Sequence, residues 1–422
     1  MRKYARYKDS GISWIGDVPE HWNVVRNKNF IDEKDEVVGE KFGDYTLLSL
    51  TKGGVIARDV ESGKGKFPKD FDSYKIVQPG NVIFCLFDVD ETPRTVGLSS
   101  LKGMITGAYD VFEPVNINTR YYTYYFLAVD DRKALRPLYT GLRKVVKKDR
   151  FFACKIPVPP LSEQKAIAEY LDKKTAQINE LVSAKQKQIE LLKEYKQSVI
   201  ANAVTGKLDE RREKRKWKDS GISWIGKIPE NWEIKRVASF FDENKVLNKD
   251  FSFKKAYQFK FGTLVMKNEV GDEKDYEETY VKYTVLKKND IVLNGLNLNY
   301  DFVSQRVAIC PTPGIITSAY IAMTPRKTIE AMYYLWLFKT MDNKKMLHGM
   351  GSGIRLTLSF SDMKNQRIPV PPLSEQKEIV AYIEKKVSSI DSQIASIENQ
   401  IANLNEYKQS LISDVVTGKV KV

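Results

Sequence analysis

Histidine and cysteine are scarce in this chain of 422 residues, which has two of the first and three of the second. His21 and His348 are too few for most histidine-based metal centres. Cys85, Cys154 and Cys310 are odd in number and far apart, so neither a disulfide framework nor a zinc site is indicated. The plain reading is three buried free thiols in a reducing cytosol, and a cytoplasmic protein is expected. No uninterrupted apolar run approaches the ~20 residues of a membrane span. The polar stretch Met1–Ser10 lacks the apolar core of a secretory signal. A phosphate-cradling Gly-x-x-x-x-Gly-Lys-Ser/Thr loop is missing; Gly63-Lys64-Gly65-Lys66 reads as a basic turn. No Pro-Asp dipeptide opens a nuclease-type metal motif. With carboxylates scattered, no acid–base or metal constellation can be assigned, and the chain is expected not to be an enzyme.

Positive charge, in contrast, is abundant. The formal net charge is +14 and the isoelectric point about 9.3. A polyanionic partner is the natural reading, with a charge kept for solubility as the plain alternative. Hydrophobic residues make up 42%, enough for real cores, and the length implies more than one domain.

The chain is a duplication. Tyr7–Trp22 (YKDSGISWIGDVPEHW) returns as Trp217–Trp232 (WKDSGISWIGKIPENW); Ile156–Lys165 (IPVPPLSEQK) returns unchanged at Ile368–Lys377; Tyr195–Lys207 returns at Tyr407–Lys419. Matches this long at a nearly constant offset are not chance, and each copy is about 210 residues long. Between these anchors the copies diverge, leaving echoes such as Gly141-Leu142-Arg143 against Gly353-Ile354-Arg355. A shared frame with divergent loops is what two readers of different targets look like.

Each copy opens with short β-branched and aromatic runs between Gly, Pro, Asn and Asp. Lys75–Val77, Val82–Phe87, Thr279–Leu286 and Ile291–Leu293 are expected strands, Thr119–Leu135 and Ile329–Met341 expected helices, and the fold class α+β. The double prolines Pro159-Pro160 and Pro371-Pro372 bar a helix before them. Ser162 and Ser374 are plausible N-caps, with Glu163 and Glu375 in the first turn. Neither proline nor glycine follows until Gly206 or Gly418, which suit helix ends. Each helix should run about 43 residues, or about 64 Å.

These helices carry a seam at alternating spacings of four and three. It comprises Leu171, Ile178, Val182, Ile189, Leu192 and Val199 in the first, with Thr175, Lys185 and Lys196 at the polar positions. In the second it comprises Ile383, Val387, Ile390, Ile394, Ile397, Ile401, Leu404 and Leu411, interrupted by Lys408. Mutual antiparallel pairing is preferred; two helices each lying on its own domain is the alternative. Pairing would give a dumbbell with an internal pseudo-two-fold, the helices acting as a ruler between two heads. Lys196 and Lys408 either snorkel or fix the register.

The strings Gly11-Ile12-Ser13-Trp14-Ile15-Gly16, Pro19-Glu20 and Trp22, and Ile156–Gln164 with its helix, resemble the specificity subunits of Type I restriction–modification enzymes. All recur in the second half, so the resemblance covers nearly the whole chain. It implies target recognition domains at 1–160 and 209–372, each reading one half of a bipartite site in double-stranded DNA. It also implies spacer helices at 161–208 and 373–422 forming an antiparallel coiled coil. The partners implied are two methyltransferase subunits and the translocase–nuclease subunits. S-adenosylmethionine, ATP and Mg are expected in those partners and no cofactor in this chain. In agreement, the Asp/Asn-Pro-Pro-aromatic motif of adenine methyltransferases is absent: Val158 and Leu161, and Val370 and Leu373, flank the prolines. The rival class is a non-catalytic two-headed scaffold binding protein, separable by salt, since DNA affinity falls steeply as salt rises.

DNA contacts are expected from loop residues able to grip phosphates or purine edges. In the first domain these are Thr51, Lys52, Gly53, Gly54, Lys64, Lys66, Arg94, Arg143, Lys144 and Lys147. In the second they are Lys260, Lys267, Asn297, Asn299, Gln305, Arg306, Ser352 and Arg355. Trp14, Trp22, Trp224 and Trp232, alike in both copies, are read as scaffold packing. Asp209–Lys218 reads as a solvated linker rather than a DNA arm.

Overall fold

The structure, a computed structural model, describes residues 2–58, 71–140, 144–208, 215–268, 273–298, 305–351 and 356–422. It divides into two compact units, Met1–Lys185 with Glu398–Val422, and Gln186–Ile397. Neither unit coincides with one sequence repeat, because each takes the end of the other repeat's long helix.

In the first unit the leading motif forms a hairpin of β1 (Tyr7–Asp9) and β2 (Asp17–Pro19). Next come β3 (Asn23–Arg26), β4 (Ile31–Glu33), the hairpin of β5 (Leu48–Thr51) and β6 (Gly54–Ala57), β7 (Lys75–Val77) and β8 (Val82–Phe84). They are followed by β9 (Val96–Leu98), β10 (Gly103–Ile105), β11 (Asp110–Pro114), α1 (Thr119–Asp131), β12 (Tyr139–Thr140), β13 (Val145–Val146), α2 (Lys148–Ala153) and β14 (Lys155–Val158). The central sheet is antiparallel in the order β4-β11-β8-β9. Helix α3 (Leu161–Val204) follows.

The second unit repeats this plan. Its elements are β15 (Trp217–Asp219), β16 (Lys227–Pro229), β17 (Glu233–Arg236), β18 (Phe241–Glu243), the hairpin of β19 (Tyr257–Lys260) and β20 (Thr263–Met266), and α4 (Glu273–Tyr280). Then come β21 (Thr284–Leu286), β22 (Ile291–Leu293), β23 (Val307–Ile309), β24 (Gly314–Ile316), β25 (Ile321–Pro325), α5 (Ala331–Asn343), α6 (Phe360–Lys364), β26 (Arg367–Val370) and α7 (Leu373–Val416). Its sheet runs β18-β25-β22-β23, the same order strand for strand. Thr279–Leu286 is not one strand: Thr279 and Tyr280 end α4, and only Thr284–Leu286 pairs. α4 is acidic and aromatic (EKDYEETY) and lays Tyr280, 2% exposed, over Ala256 and Ile315.

Each long helix has 44 residues. α3 begins at Leu161, one residue before the expected cap Ser162, because the Pro160 carbonyl already accepts the Glu163 and Gln164 N–H groups. The Gln164 side chain fixes this entry, donating to the Pro159 carbonyl (2.8 Å) and accepting the Asn118 N–H (2.8 Å) at the start of α1. Gln376 does the same with Pro371 and the Glu330 N–H. Both helices end as expected at a left-handed glycine, Gly206 (φ +78°) and Gly418 (φ +72°). The next N–H reaches back five residues, Lys207 to Asn202 and Lys419 to Asp414, satisfying an orphan carbonyl.

Those helix ends close the cores. Around Gly418 lie the Pro19 ring and the Trp22 indole, and the Lys419 ammonium donates to the Asp17 carbonyl at 2.7 Å. Around Gly206 lie Pro229 and Trp232, and Lys207 donates to the Ile225 carbonyl at 2.7 Å. Leu411, Ile412, Val415 and Val416 therefore share one core with Trp22, Phe84, Phe112, Tyr121 and Phe151. Ile200, Ala203 and Val204 share the other with Trp232, Phe241, Tyr333 and Phe338. Trp22 and Trp232 are fully buried, as the scaffold reading of the tryptophans requires; Trp14 is half-buried against Tyr125.

Along the helices the seam residues Leu171, Ile178, Ile189, Val199, Ile383, Ile390, Ile394, Ile397 and Leu411 are buried; Val182, Leu192, Val387, Ile401 and Leu404 are half-buried. Within the first unit Lys408 donates to Asn179 (2.9 Å) and Lys185 to Gln400. Within the second, Lys196 chelates the Asp391 carboxylate at 2.7 Å. The seam lysines thus reach polar partners on the other helix. All three cysteines are free. Cys85 and Cys310 are buried, but Cys154 is only half-buried, correcting the expectation of three buried thiols. Burial pushes the Cys154 thiol up to about 12 and that of Cys310 to about 11. Among the described residues no helix is long and apolar enough to cross a membrane.

Two predictions follow from this packing. At Gly418 a Cβ would lie 2.2 Å from Pro19 Cδ, whereas at Gly11, also at positive φ, it would meet nothing. Gly11→Ala should therefore cost only backbone strain, about 1 kcal/mol, and Gly418→Ala clearly more. Equal urea midpoints for the two variants would refute the docking. Secondly, Tyr121, Tyr122 and Tyr333 are held well above the ordinary phenol range by burial. Above pH ~10 the native state then binds more protons than the unfolded chain, so stability is full below that pH and declines as pH rises. Absorbance titration should leave these phenols silent until an unfolding step; complete ionisation of the native protein near pH 10 would contradict it.

Candidate nucleic-acid interface

Of the described residues proposed from sequence to meet DNA, Thr51–Gly54 and Lys260 fall at hairpin tips, and Lys52, Gly53, Gly54 and Arg94 line one groove. In the first unit Thr51–Gly54 form the tip of β5–β6. The Thr51 hydroxyl donates to the Gly54 carbonyl (2.9 Å) and accepts the Gly53 N–H (3.2 Å), while Gly54 takes φ +105°, so this tip is tight and needs glycine. Lys52 is exposed. Behind the hairpin, Gly97 of β9 leaves no room for a side chain: a Cβ would sit 2.6 Å from Leu50 Cδ1. The tip overhangs a groove of about 770 Å³, lined among others by Lys52, Arg94, Arg120, Tyr124, Asp172 and Lys408.

Arg94 is less available than expected. Its guanidinium bonds Asp130 and Asp131, both at 3.0 Å, and its side chain is 18% exposed. Asp130 also accepts the Thr95 N–H and hydroxyl, so the cluster pins the start of β9 to the end of α1. Lys144 pairs with Glu91 and Asp90. Lys147 is exposed just before α2. Lys64, Lys66 and Arg143 lie outside the described residues.

In the second unit Lys260 is exposed at the tip of β19–β20 and Gln305 is exposed beside it: a Cβ on Gly262 would lie 2.6 Å from the Gln305 Oε1. Lys267, at the other end of β20, sits over the rings of Tyr280 and Tyr283 at 5.7 and 5.8 Å. Asn297 is exposed with φ +52°. Asn299, Ser352 and Arg355 lie outside the described residues.

Arg306 is a correction. It is 1% exposed, and its guanidinium donates to the carbonyls of Asn294 (3.1 Å), Leu296 (2.8 Å) and Asn297 (3.4 Å). Its own N–H goes to the buried Asp342 carboxylate at 2.6 Å, whose pKa burial raises. A guanidinium spent on three backbone carbonyls holds the loop after β22 and does not reach a phosphate. Arg306→Met should lower stability by about 2–4 kcal/mol by leaving those carbonyls unsatisfied. An unchanged melting temperature would show the network to be dispensable.

Phe261 was not singled out from sequence. It occupies the tip of β19–β20 and is 88% exposed with φ +47°, a conformation that costs a side-chain-bearing residue roughly 1–2 kcal/mol. The sequence signal for a two-residue hairpin is Asn-Gly or Asp-Gly, and Phe261-Gly262 does not match it.

Among the described residues no cluster of His, Cys, Asp and Glu could hold a metal ion. The molecule so described is a duplicated α+β protein with two basic hairpin-tipped units. The profile of the Type I restriction modification DNA specificity domain matches residues 105–191 and 229–406, and the chain belongs to that family. The MjaVIII specificity subunit of Methanocaldococcus jannaschii is 26% identical over 434 residues, spanning 96% of this chain and 94% of that relative. The EcoBI specificity subunit of Escherichia coli is 25% identical over 281 residues, 63% of this chain and 58% of its own. Among solved structures, a chain from a study of complex assembly and conformational transition in a type I R-M system aligns with a TM-score of 0.67 at 14% identity. It covers 96% of this chain and 99% of its own. The HsdS subunit from Thermoanaerobacter tengcongensis aligns at 0.50 and 14%, covering 96% and 98%. At those identities the likeness establishes the fold.

Proposed function

We propose that this chain reads a bipartite DNA site for a Type I restriction–modification complex and is itself non-catalytic. The observation that carries this is the duplication of one α+β frame whose segments diverge between the shared motifs while keeping the same strand order. Residues 1–160 and 209–372 are the two target recognition domains, and the helices at 161–208 and 373–422 form the antiparallel coiled coil that spaces them. The buried seam and the lysine bonds between the helices in each unit support that pairing. Partner subunits bring the chemistry: two methyltransferase subunits with S-adenosylmethionine, and translocase–nuclease subunits with ATP and Mg. The net charge of +14 favours phosphate contact. Of the sequence candidates, Lys52 with its glycine-rich tip, Lys147, Lys260, Asn297 and Gln305 are the exposed DNA contacts; Lys144 and Lys267 stand nearby with partners of their own. Arg94 is assigned to positioning the β5–β6 side of the groove rather than to base reading.

The test is a map of methylated bases in cells expressing this chain or a chimera in which residues 25–150 come from another family member. One gapped motif should depend on this chain, and the chimera should alter only one half of it. A map indifferent to the chain, with active partners present, would refute the function; a change in both halves would refute the modular reading.

A further inference from the structure

Phe261 and Gly262 are the two residues between β19 and β20, where Lys260 pairs with Thr263. Their φ values are +47° and +71°, the signature of a type I′ turn, which favours Asn or Gly at its first position. A phenylalanine there is sterically disfavoured, and as a residue 88% exposed it gains almost nothing from burial in return. A locally unfavourable choice without folding gain is evidence of a role outside folding.

The turn is also held firm. The Thr263 hydroxyl donates to the Lys260 carbonyl at 2.6 Å, and Gln305 packs against Gly262 too closely to admit a Cβ. The ring is thus presented on a braced ribbon. Its segment is basic: residues 243–269 hold six lysines against Glu243, Asp250 and Glu269, and the exposed Lys260 adjoins Phe261 at the tip. An apolar probe among cations fits a partner that is anionic outside and apolar within, namely duplex DNA read at its base edges. A two-stranded ribbon fits the major groove, about 12 Å wide, where the apolar feature offered is the thymine methyl group. The corresponding tip of the first unit is Lys52-Gly53, with no apolar side chain.

We infer that Phe261 is a specificity-determining residue of the second recognition unit, carried by the β19–β20 hairpin into the major groove to pack on a thymine methyl. This rests on the DNA-reading function proposed above. The test uses the full chain assembled with its methyltransferase partners, a duplex bearing the mapped motif, and a scrambled duplex. Phe261→Asn suits the left-handed turn, so the variant should melt no lower than the parent. Its affinity for the motif should drop about tenfold, with affinity for the scrambled duplex and the salt dependence unchanged. In the parent complex, replacing one thymine of the second half-site by uracil should reproduce the loss, and in Phe261→Asn it should add nothing. Unchanged motif affinity in Phe261→Asn, an equal loss on both duplexes, or indifference of the parent to every such uracil would overturn the inference while leaving DNA reading intact. A parent complex that binds neither duplex would instead overturn DNA reading itself.

Discussion

The fold depends on how each leading motif is closed. The Pro19 and Trp22 platform is covered by the end of α7, and the Pro229 and Trp232 platform by the end of α3. Each closure uses a left-handed glycine, a lysine on a motif carbonyl and a buried tyrosine on the helix's last turn. Tyr333 donates to the Val204 carbonyl (2.8 Å), while the Tyr121 hydroxyl donates to the Pro157 carbonyl (2.8 Å) and lies 3.4 Å from that of Val416. Neither repeat is therefore a self-sufficient folding unit. The first core contains Leu411–Val416 and cannot be complete before the chain reaches its last helical turn. Contacts separated by some 400 residues, such as Lys419 to Asp17, make this a high-contact-order fold.

Helix entry is fixed by the same economy of parts. The first-turn carboxylates expected only to favour the helix dipole anchor the leading motifs instead. Glu375 accepts the Trp232 indole N–H at 3.1 Å and pairs with Arg215. Glu163 holds Tyr4 and, at 2.9 Å, His21. One acidic position serves two local solutions, and the indole of Trp22 is left to pack rather than to bond.

Much of this frame was legible in the sequence because it is written in period and identity. The repeats, the double prolines, the long helices and the glycine ends each carry a mechanism readable without coordinates. The seam was legible for the same reason. The expected antiparallel pairing already returned the second helix toward the start of the chain; what could not be read was that its last turn, with Gly418 and Lys419, completes the core of the first motif. The site was harder. Arg306 looked like a DNA contact because a loop arginine can grip a phosphate or a purine edge; its burial is set by the carbonyls of a loop about ten residues away. Phe261 escaped notice because apolar residues in a strand-rich stretch read as core, and only the backbone shows that this one is a turn. Thr279 was misread because α4 is a helix that the first unit gave no reason to expect.

Comparing the two copies shows where change was tolerated. Asp130 and Asp342, at equivalent places near the ends of α1 and α5, each accept a backbone N–H at the start of the neighbouring strand, from Thr95 and Arg306. Around that shared pin the charges change as a set. Arg94 and Asp131 in the first copy become Gln305 and Asn343 in the second while Thr95 becomes Arg306, so the cation moves by one residue, one carboxylate is lost, and the buried guanidinium turns to the backbone carbonyls of Asn294 and Leu296 instead. Core substitutions are thus compensated by neighbours, as a close-packed interior demands. The hairpin tips lie outside this buried pin. Lys52-Gly53 and Phe261-Gly262 differ in charge, size and polarity, and Gln305, which replaces Arg94, packs against Gly262. Divergence at exposed tips on a shared frame is what the DNA-reading function proposed above requires, since each tip would then meet a different half of the site.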